Sequence, residues 1–120
     1  RNLLFLVAAA SYAASKGAKT IAIGLLTEKT HLFPDQTEEF IVNTNFAINS
    51  ALGDNLIILT PLIQFSKSDV INLAEKYKIP LEKTYSCHSG EDKYCGKCVS
   101  CRELLGSEGK EKIPQIKRGE

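Results

Sequence analysis

All four cysteines of the chain lie within fifteen residues, and their spacing is the most specific chemical signal in the sequence. Thiolates are soft ligands that suit zinc ions and iron–sulfur clusters. Two cysteines separated by two residues can both turn toward one ion, and Gly96 stands where such a turn is needed. Four thiolates leave no open coordination position, which indicates a structural rather than a catalytic metal. The pattern is C-x7-C-x2-C-x2-C, formed by Cys87, Cys95, Cys98 and Cys101.

Three chemistries compete for these sulfurs. Structural zinc is favoured, because it supplies folding energy to a polar stretch with few apolar side chains. A [4Fe–4S] cluster is the main alternative, although the close fourth cysteine with a following proline, typical of a ferredoxin run, is missing. Two disulfides are a further alternative, but cysteines two residues apart are typical of redox-active rather than structural disulfides. His88 follows Cys87 directly and is interpreted as an exposed polar side chain.

The composition indicates a globular protein and argues against a primary role in binding nucleic acid. The chain has 120 residues, of which 43% are apolar and 24% charged, close to the globular average. At ~150 residues per domain, this length allows one domain at most. The net charge of +1 argues against a primary role in binding nucleic acid. Methionine is absent and the helical pattern starts at Arg1, so we interpret the sequence as a fragment.

The first apolar run, residues 3–10, has three interpretations. A membrane-spanning helix needs ~20 apolar residues, and Lys16 comes too early for that. A secretory signal would fit a basic first residue, an apolar centre and small residues near Ala14, but the cysteine spacing suits a reducing compartment. A buried helix ended by Gly17 is favoured, and with it a cytoplasmic location and no membrane contact.

The elements that follow alternate between strands and helices. Two apolar, β-rich segments, 20–25 and 55–59, predict strands buried on both faces. The helix between them is predicted to start with Asp35 as its cap and to end at Gly53, and a third helix is capped by Ser66. This order predicts a parallel strand pair in an open α/β sheet with helices on both faces. Two strands are few for such a sheet, so we expect further strands from elsewhere.

We therefore divide the chain into three parts. Residues 1–83 are predicted to be the C-terminal part of an α/β nucleotide-binding domain, residues 84–105 a zinc-binding knuckle, and residues 106–120 a flexible tail. Loops at the carboxyl ends of parallel strands carry function in open α/β sheets. The segment between Gly24 and Asp35 follows the first strand and is the best candidate for a binding pocket.

Several short motifs stand in the same order as in a known family. They are R-N-L-L-F-L at 1–6, A-A-S-K-G-A at 13–18, P-D at 34–35, E-F at 39–40, T-P-L-I at 60–63, S-K at 66–67 and T-Y-S-C…C-G-K-C-x-S-C at 84–101. Together they resemble the C-terminal half of the 7-cyano-7-deazaguanine synthase family of queuosine and archaeosine biosynthesis. The resemblance covers roughly residues 1–105, and the cysteine block is its specific part.

The resemblance implies a Rossmann-like parallel sheet of the ATP pyrophosphatase (PP-loop) type, related to the adenine nucleotide α-hydrolases. It implies an ATP-dependent ligase that converts 7-carboxy-7-deazaguanine and ammonia into 7-cyano-7-deazaguanine (preQ0), with ATP and Mg²⁺ as co-substrate. It also implies structural zinc at the four cysteines. The expected partners are these small molecules and either a missing N-terminal half or a second copy of the chain, with no direct role for nucleic acid.

Two departures from the family pattern bear on function. The family's phosphate loop, Ser-Gly-Gly-x-Asp-Ser, is absent, and without its backbone N–H groups nothing cradles pyrophosphate, so we expect the chain to be inactive alone. The family's loop before the second helix, roughly Asp-x-Ser-Gly-Tyr-Pro-Asp-Cys, reads K-T-H-L-F-P-D-Q at 29–36. The substrate therefore stays open. The alternatives are a diverged PP-loop enzyme that modifies another nucleobase or RNA, and a zinc-containing binding module.

Five further residues are candidates for binding substrate or nucleotide, whereas the catalytic residues are unknown because the phosphate loop is absent. Asp35 is placed to hydrogen-bond the base edge of a purine-like ligand or, equally, to cap a helix. Phe33 is placed to stack on a flat heterocycle or to pack within its loop. Arg1 and Asn2 match a family pair at a helix start, although Arg1 also fits a solvated chain end. Lys67 matches the family's Ser-Lys pair, with a surface lysine as the alternative.

Overall fold

The computed structural model describes residues 1–27, 33–91 and 93–107, which fall into two compact units. Unit 1 comprises residues 1–64, and unit 2 begins at Phe65. Most of the predicted tail, and part of the loop at 29–36, therefore lie outside the described residues. The helices and strands are α1 (Asn2–Ser15), β1 (Thr20–Ala22), α2 (Glu38–Leu52), β2 (Ile57–Leu59), α3 (Lys67–Lys76) and α4 (Val99–Gly106).

Helix α1 confirms the prediction of a helix in the first apolar run. It ends in a left-handed glycine, Gly17, whose φ is 69°. The N–H of Ala18 donates to the carbonyl of Ala13 at 2.9 Å, which satisfies a carbonyl of the last turn. Among the described residues, every helix is too short or too polar to cross a bilayer.

Strands β1 and β2 pair in parallel, as the strand–helix–strand order predicts, with Ile21 opposite Ile58. Both strands are shorter than the predicted segments. Helices α1 and α2 both contribute to the apolar core of unit 1. That core contains Leu6, Ala10, Ala13, Leu25, Ile41, Ile48, Leu56 and Ile58.

The expectation that the strands are buried on both faces is wrong within unit 1. Ile58 is 8% exposed, whereas Ile57 and Leu59 are 54% and 49% exposed. Because side chains alternate between the two faces of a strand, one face of β2 packs into the core and the other is open. Helices α1 and α2 share a single apolar cluster with Ile58, so unit 1 has its helices on one face of the sheet rather than on both.

Two asparagines of α2 close the edge of β2 that faces away from β1. The Asn49 side chain accepts from the N–H of Leu56 at 2.8 Å and donates to the Leu56 carbonyl at 3.0 Å. The side-chain oxygen of Asn45 accepts from the N–H of Ile58 at 3.2 Å. These bonds occupy backbone groups that would otherwise serve as a template for another strand.

In unit 2, α3 begins at the predicted cap. The Ser66 hydroxyl accepts from the N–H of Asp69, and the Asp69 carboxylate accepts from the N–H of Ser66 at 2.8 Å. The only buried residue of α3 is Ile71, and it packs with the cysteine segment. The sequence predicts this helix as part of the α/β domain at 1–83, whereas in the structure it belongs to the same compact unit as the cysteines.

Candidate functional site

The cysteine segment of unit 2 brings four sulfur atoms into one group. All four Sγ atoms lie within 4.8 Å of one another, and those of Cys87 and Cys98 are 4.0 Å apart. Sulfurs around a tetrahedral zinc ion, each about 2.3 Å from the metal, are roughly 3.8 Å apart. The observed spacing therefore needs only a small contraction to close around an ion. All four cysteines are free thiols, so the structure does not support the disulfide alternative.

Backbone N–H groups point at all four of these sulfurs, and Gly96 is the donor to Cys101. The Sγ of Cys87 accepts from the N–H of Cys95 at 3.3 Å. The Sγ of Cys95 accepts from the N–H groups of Lys97 and Cys98 at 3.5 and 3.3 Å. The Sγ of Cys98 accepts from the N–H of Cys101 at 3.4 Å and so caps α4. Such donors stabilise the thiolate, which is the form that binds a metal.

The turn between the second and third cysteines has the predicted geometry. Gly96 has a φ of 68°, in the left-handed region that residues with a Cβ rarely adopt. This turn lets the N–H groups of the next two residues face the Sγ of Cys95. C-G-K-C therefore forms the predicted knuckle.

The thiols differ in pKa for physical reasons that a metal would override. The Ser89 hydroxyl, together with backbone N–H donors, lowers the pKa of Cys87 to about 5. A backbone hydrogen bond from His88 is the largest cause that lowers the pKa of Cys98. Burial raises the pKa of Cys101 to about 12. Because a bound cation deprotonates a coordinating thiol outright, Cys101 is the thiol whose ionisation depends most on the metal.

A small apolar cluster supports the sulfur group. It contains Ile71, Tyr94 and Leu104 together with two of the cysteines. The Tyr94 hydroxyl donates to the carbonyl of Thr84 at 3.1 Å and accepts from the N–H of Ser86 at 3.2 Å, so it ties together both ends of the cysteine loop. Sequence reasoning missed this residue. The available signal is a large aromatic side chain directly before C-G-K-C in an otherwise polar stretch.

In unit 1, three of the other candidates meet at the start of α1. The N–H of Asn2 donates to Oδ2 of Asp35 at 3.0 Å, and the Asn2 side-chain amide donates to the Asp35 carbonyl at 2.8 Å. The backbone nitrogen of Arg1 lies 3.4 Å from the same carboxylate oxygen. The N–H of Asn2 is the largest cause that holds the pKa of Asp35 below its usual range.

The prediction that Asp35 caps α2 is wrong. Asp35 lies in a short 3₁₀ turn, Pro34–Gln36, and Thr37 caps α2 by accepting from the N–H of Phe40 at 3.1 Å. The carboxylate of Asp35 caps α1 instead, so the residue has a capping role at a helix distant in sequence.

For the remaining candidates, the structure gives position and exposure but no contact that assigns a role. Phe33 is exposed and directly precedes the 3₁₀ turn. Lys67 is the first residue of α3 in unit 2 and is half-buried. His88 is exposed, as expected, and its N–H faces the sulfur of Cys98. Residues 28–32, the middle of the segment between Gly24 and Asp35, lie outside the described part, so the binding pocket predicted there stays a prediction.

Comparison with known proteins gives one protein family for the chain, matched up to the last described residue. The family model described as "Queuosine biosynthesis protein QueC" matches residues 1–107. The 7-cyano-7-deazaguanine synthase of Nautilia profundicola is 44% identical over 107 residues, which cover 88% of this chain and 48% of that protein. The synthase of the same name from Methanobrevibacter smithii is 39% identical over 101 residues, with 84% and 44% covered. The chain spans about half the length of the curated relatives that it matches and corresponds to their C-terminal part.

Proposed function

This chain belongs to the queuosine biosynthesis protein QueC family, and on that premise we propose that it forms part of an ATP-dependent 7-cyano-7-deazaguanine synthase. The observation that carries the proposal is that the family model matches residues 1–107, a range that contains both the Asn2–Asp35 contact and the four cysteines, while a relative named as this synthase covers 88% of the chain. The family assignment made from short motifs is confirmed by the match over residues 1–107.

The proposed reaction converts 7-carboxy-7-deazaguanine and ammonia into 7-cyano-7-deazaguanine. A carboxylate is a poor electrophile, so ATP first supplies an adenylate leaving group. Ammonia then displaces AMP to give an amide, and a second activation followed by loss of AMP gives the nitrile. The phosphate loop that this chemistry needs is not in the sequence, so we propose that the chain works with the part of the synthase that carries the loop.

Zinc is the ion that we propose for the cysteine site. Four thiolates offer a closed tetrahedral set, which is typical of structural zinc. The ion would supply a fourfold cross-link in a segment whose buried cluster, among the described residues, contains three apolar side chains besides cysteines, with Leu81 packed against it. The cysteine segment would then fold around the metal, and the ion would take no part in the reaction.

Ligand contacts are proposed at the end of unit 1 where α1 begins. Arg1 and Phe33 are both exposed beside the contact between Asn2 and Asp35, at the carboxyl side of β1 where α/β sheets bind ligands. An exposed guanidinium suits a phosphate or carboxylate, and an exposed ring suits a flat base. Lys67 stays a candidate for nucleotide contact, and a cytoplasmic location is part of the same proposal.

The test combines the chain with the N-terminal half of the Nautilia profundicola relative, by co-expression or fusion, and supplies ATP, Mg²⁺, ammonia and 7-carboxy-7-deazaguanine. Mass spectrometry should detect the nitrile and AMP from the combination and neither from the chain alone. A matched combination with Cys95→Ser checks that loss of a cysteine ligand removes product. A folded, metal-loaded combination that forms AMP with another nucleobase or with RNA, and not with this deazapurine, would contradict the substrate and favour the diverged-enzyme alternative.

A further inference from the structure

We propose that Asp35 is a positioning residue, whose carboxylate caps helix α1 and fixes the turn at 34–36 against the start of that helix, rather than a residue that binds the base edge of a ligand. The contact joins residues 33 positions apart in sequence. It lies on the loop between β1 and α2, one of the loops that parallel sheets use for binding.

Helix α1 has no capping bond from the side chain at its own cap position. The first N–H groups of a helix have no partner within the helix. The residue at the cap position, Arg1, makes no side-chain capping bond, and the first turn of α1 contains no acidic residue. The Asp35 carboxylate supplies both missing elements, because it accepts from the N–H of Asn2 and places a negative charge at the positive end of the helix dipole.

The contact is reciprocal, which makes it suited to fixing orientation. Asn2 donates its backbone N–H to the Asp35 carboxylate and its side-chain amide to the Asp35 carbonyl, at 3.0 and 2.8 Å. Two bonds between the same pair of residues restrain rotation as well as distance. Asn2 is buried, so its amide would lose its partner without easy replacement by water.

The consequence for ligand binding rests on the proposed function. Arg1 and Phe33 flank the contact and are both exposed. If the contact holds these two side chains at a fixed separation, loss of Asp35 weakens ligand binding without removing a ligand contact. We therefore expect KM for the deazapurine to rise far more than kcat falls.

Two substitutions separate positioning from direct recognition. Asp35→Asn keeps an oxygen that can accept from the N–H of Asn2, whereas Asp35→Ala removes it. A carboxylate that accepted from the ring N–H and amino donors of a guanine-like edge would be replaced poorly by an amide, which presents a donor of its own. If Asp35 is a positioning residue, Asp35→Asn should keep most of the ligand binding that Asp35→Ala loses. Direct recognition predicts that the two variants are equally impaired.

The first measurement uses the chain without any ligand. Amide hydrogen exchange at Asn2 should accelerate about tenfold in Asp35→Ala, the size expected for a lost helix cap, and less than threefold in Asp35→Asn. Glu39→Ala, which removes an exposed carboxylate in the first turn of α2, is the matched control and should stay within twofold. Unchanged exchange in Asp35→Ala would overturn the proposal whatever the enzyme's substrate is.

The second measurement uses the combined synthase. KM should rise at least tenfold in Asp35→Ala and about threefold in Asp35→Asn. A rise of equal size in both variants would overturn positioning and favour a base-edge contact. If the exchange result holds and no nitrile forms with any variant, the contact at α1 stands and the proposed function fails, so the two failures are distinguishable. Asn2→Ala, which keeps the backbone N–H, gives an intermediate exchange rate if the bond from its side chain contributes.

Discussion

Replacing Leu104 by alanine should weaken zinc binding, although leucine has no ligand atom. Leu104 is 3% exposed and packs in the cluster with Ile71, Tyr94 and two of the cysteines. If the metal and this cluster fold as one unit, any loss of packing is also a loss of metal affinity.

The size of the effect follows from burial. Truncation of a buried leucine to alanine costs about 2–5 kcal/mol, depending on how far the neighbours relax. We take the lower end, about 2 kcal/mol, because α4 has only eight residues and can shift to fill the space. Among the described residues, few other apolar side chains pack against this cluster, so we expect the cysteine segment to be unfolded without metal. The full cost then appears in binding, and the apparent zinc Kd rises about 30-fold.

Competition with a chromophoric zinc chelator at pH 7 measures this Kd. Val99→Ala is the matched control, because Val99 is on the same helix and is 40% exposed. Its Kd should stay within threefold of that of the unmodified chain. A Kd for Leu104→Ala within threefold of the unmodified value would show instead that the apolar cluster and the sulfur group fold independently.

Three further predictions concern other parts of the chain. Replacing Asn45 and Asn49 by alanine should free the outer edge of β2 and increase the fraction of larger species in sedimentation velocity, and no increase over the unmodified chain would contradict the edge-closing role. The Asn2–Asp35 contact should persist above pH about 4 and weaken as pH falls below 3.8, because a carboxyl group whose pKa is lowered in the folded state stabilises the contact only while it is ionised. A titration of the amide signals of unit 1 by NMR measures this, and a midpoint at or above 3.8 would contradict it. Gly96→Ala should destabilise the folded cysteine segment by about 1–2 kcal/mol, because it forces a residue with a Cβ into the left-handed region, and should weaken zinc binding roughly tenfold. Gly106 in α4 has an ordinary φ, so Gly106→Ala is the control and should bind zinc as the unmodified chain does.

Local signals in the sequence predicted the parts of the structure that depend on few neighbours. Cysteine spacing predicted the group of sulfurs, because Cys95, Cys98 and Cys101 are close enough in sequence to meet without help from distant elements, whereas Cys87 reaches them across a longer loop. Gly17, Gly53 and the Ser66 cap likewise set helix ends through bonds within a few residues.

Contacts between segments that are distant in sequence could not be predicted from local signals. Asp35 with an acidic residue three positions later matched the pattern of a helix start, yet Thr37 caps α2 because Asp35 is bound to Asn2. The open face of β2 is a similar case, since Ile57 and Leu59 are as apolar as a fully buried strand requires. Apolar composition shows that a strand can be buried, whereas its actual burial depends on which helices pack against it.

The most direct test of the account is elemental analysis of the purified chain by mass spectrometry, taken with an absorbance spectrum through the visible range. We expect about one zinc per chain and no visible absorbance, with the metal lost in Cys95→Ser. Iron with acid-labile sulfide and a broad visible absorbance would contradict it, because the four cysteines would then hold an iron–sulfur cluster.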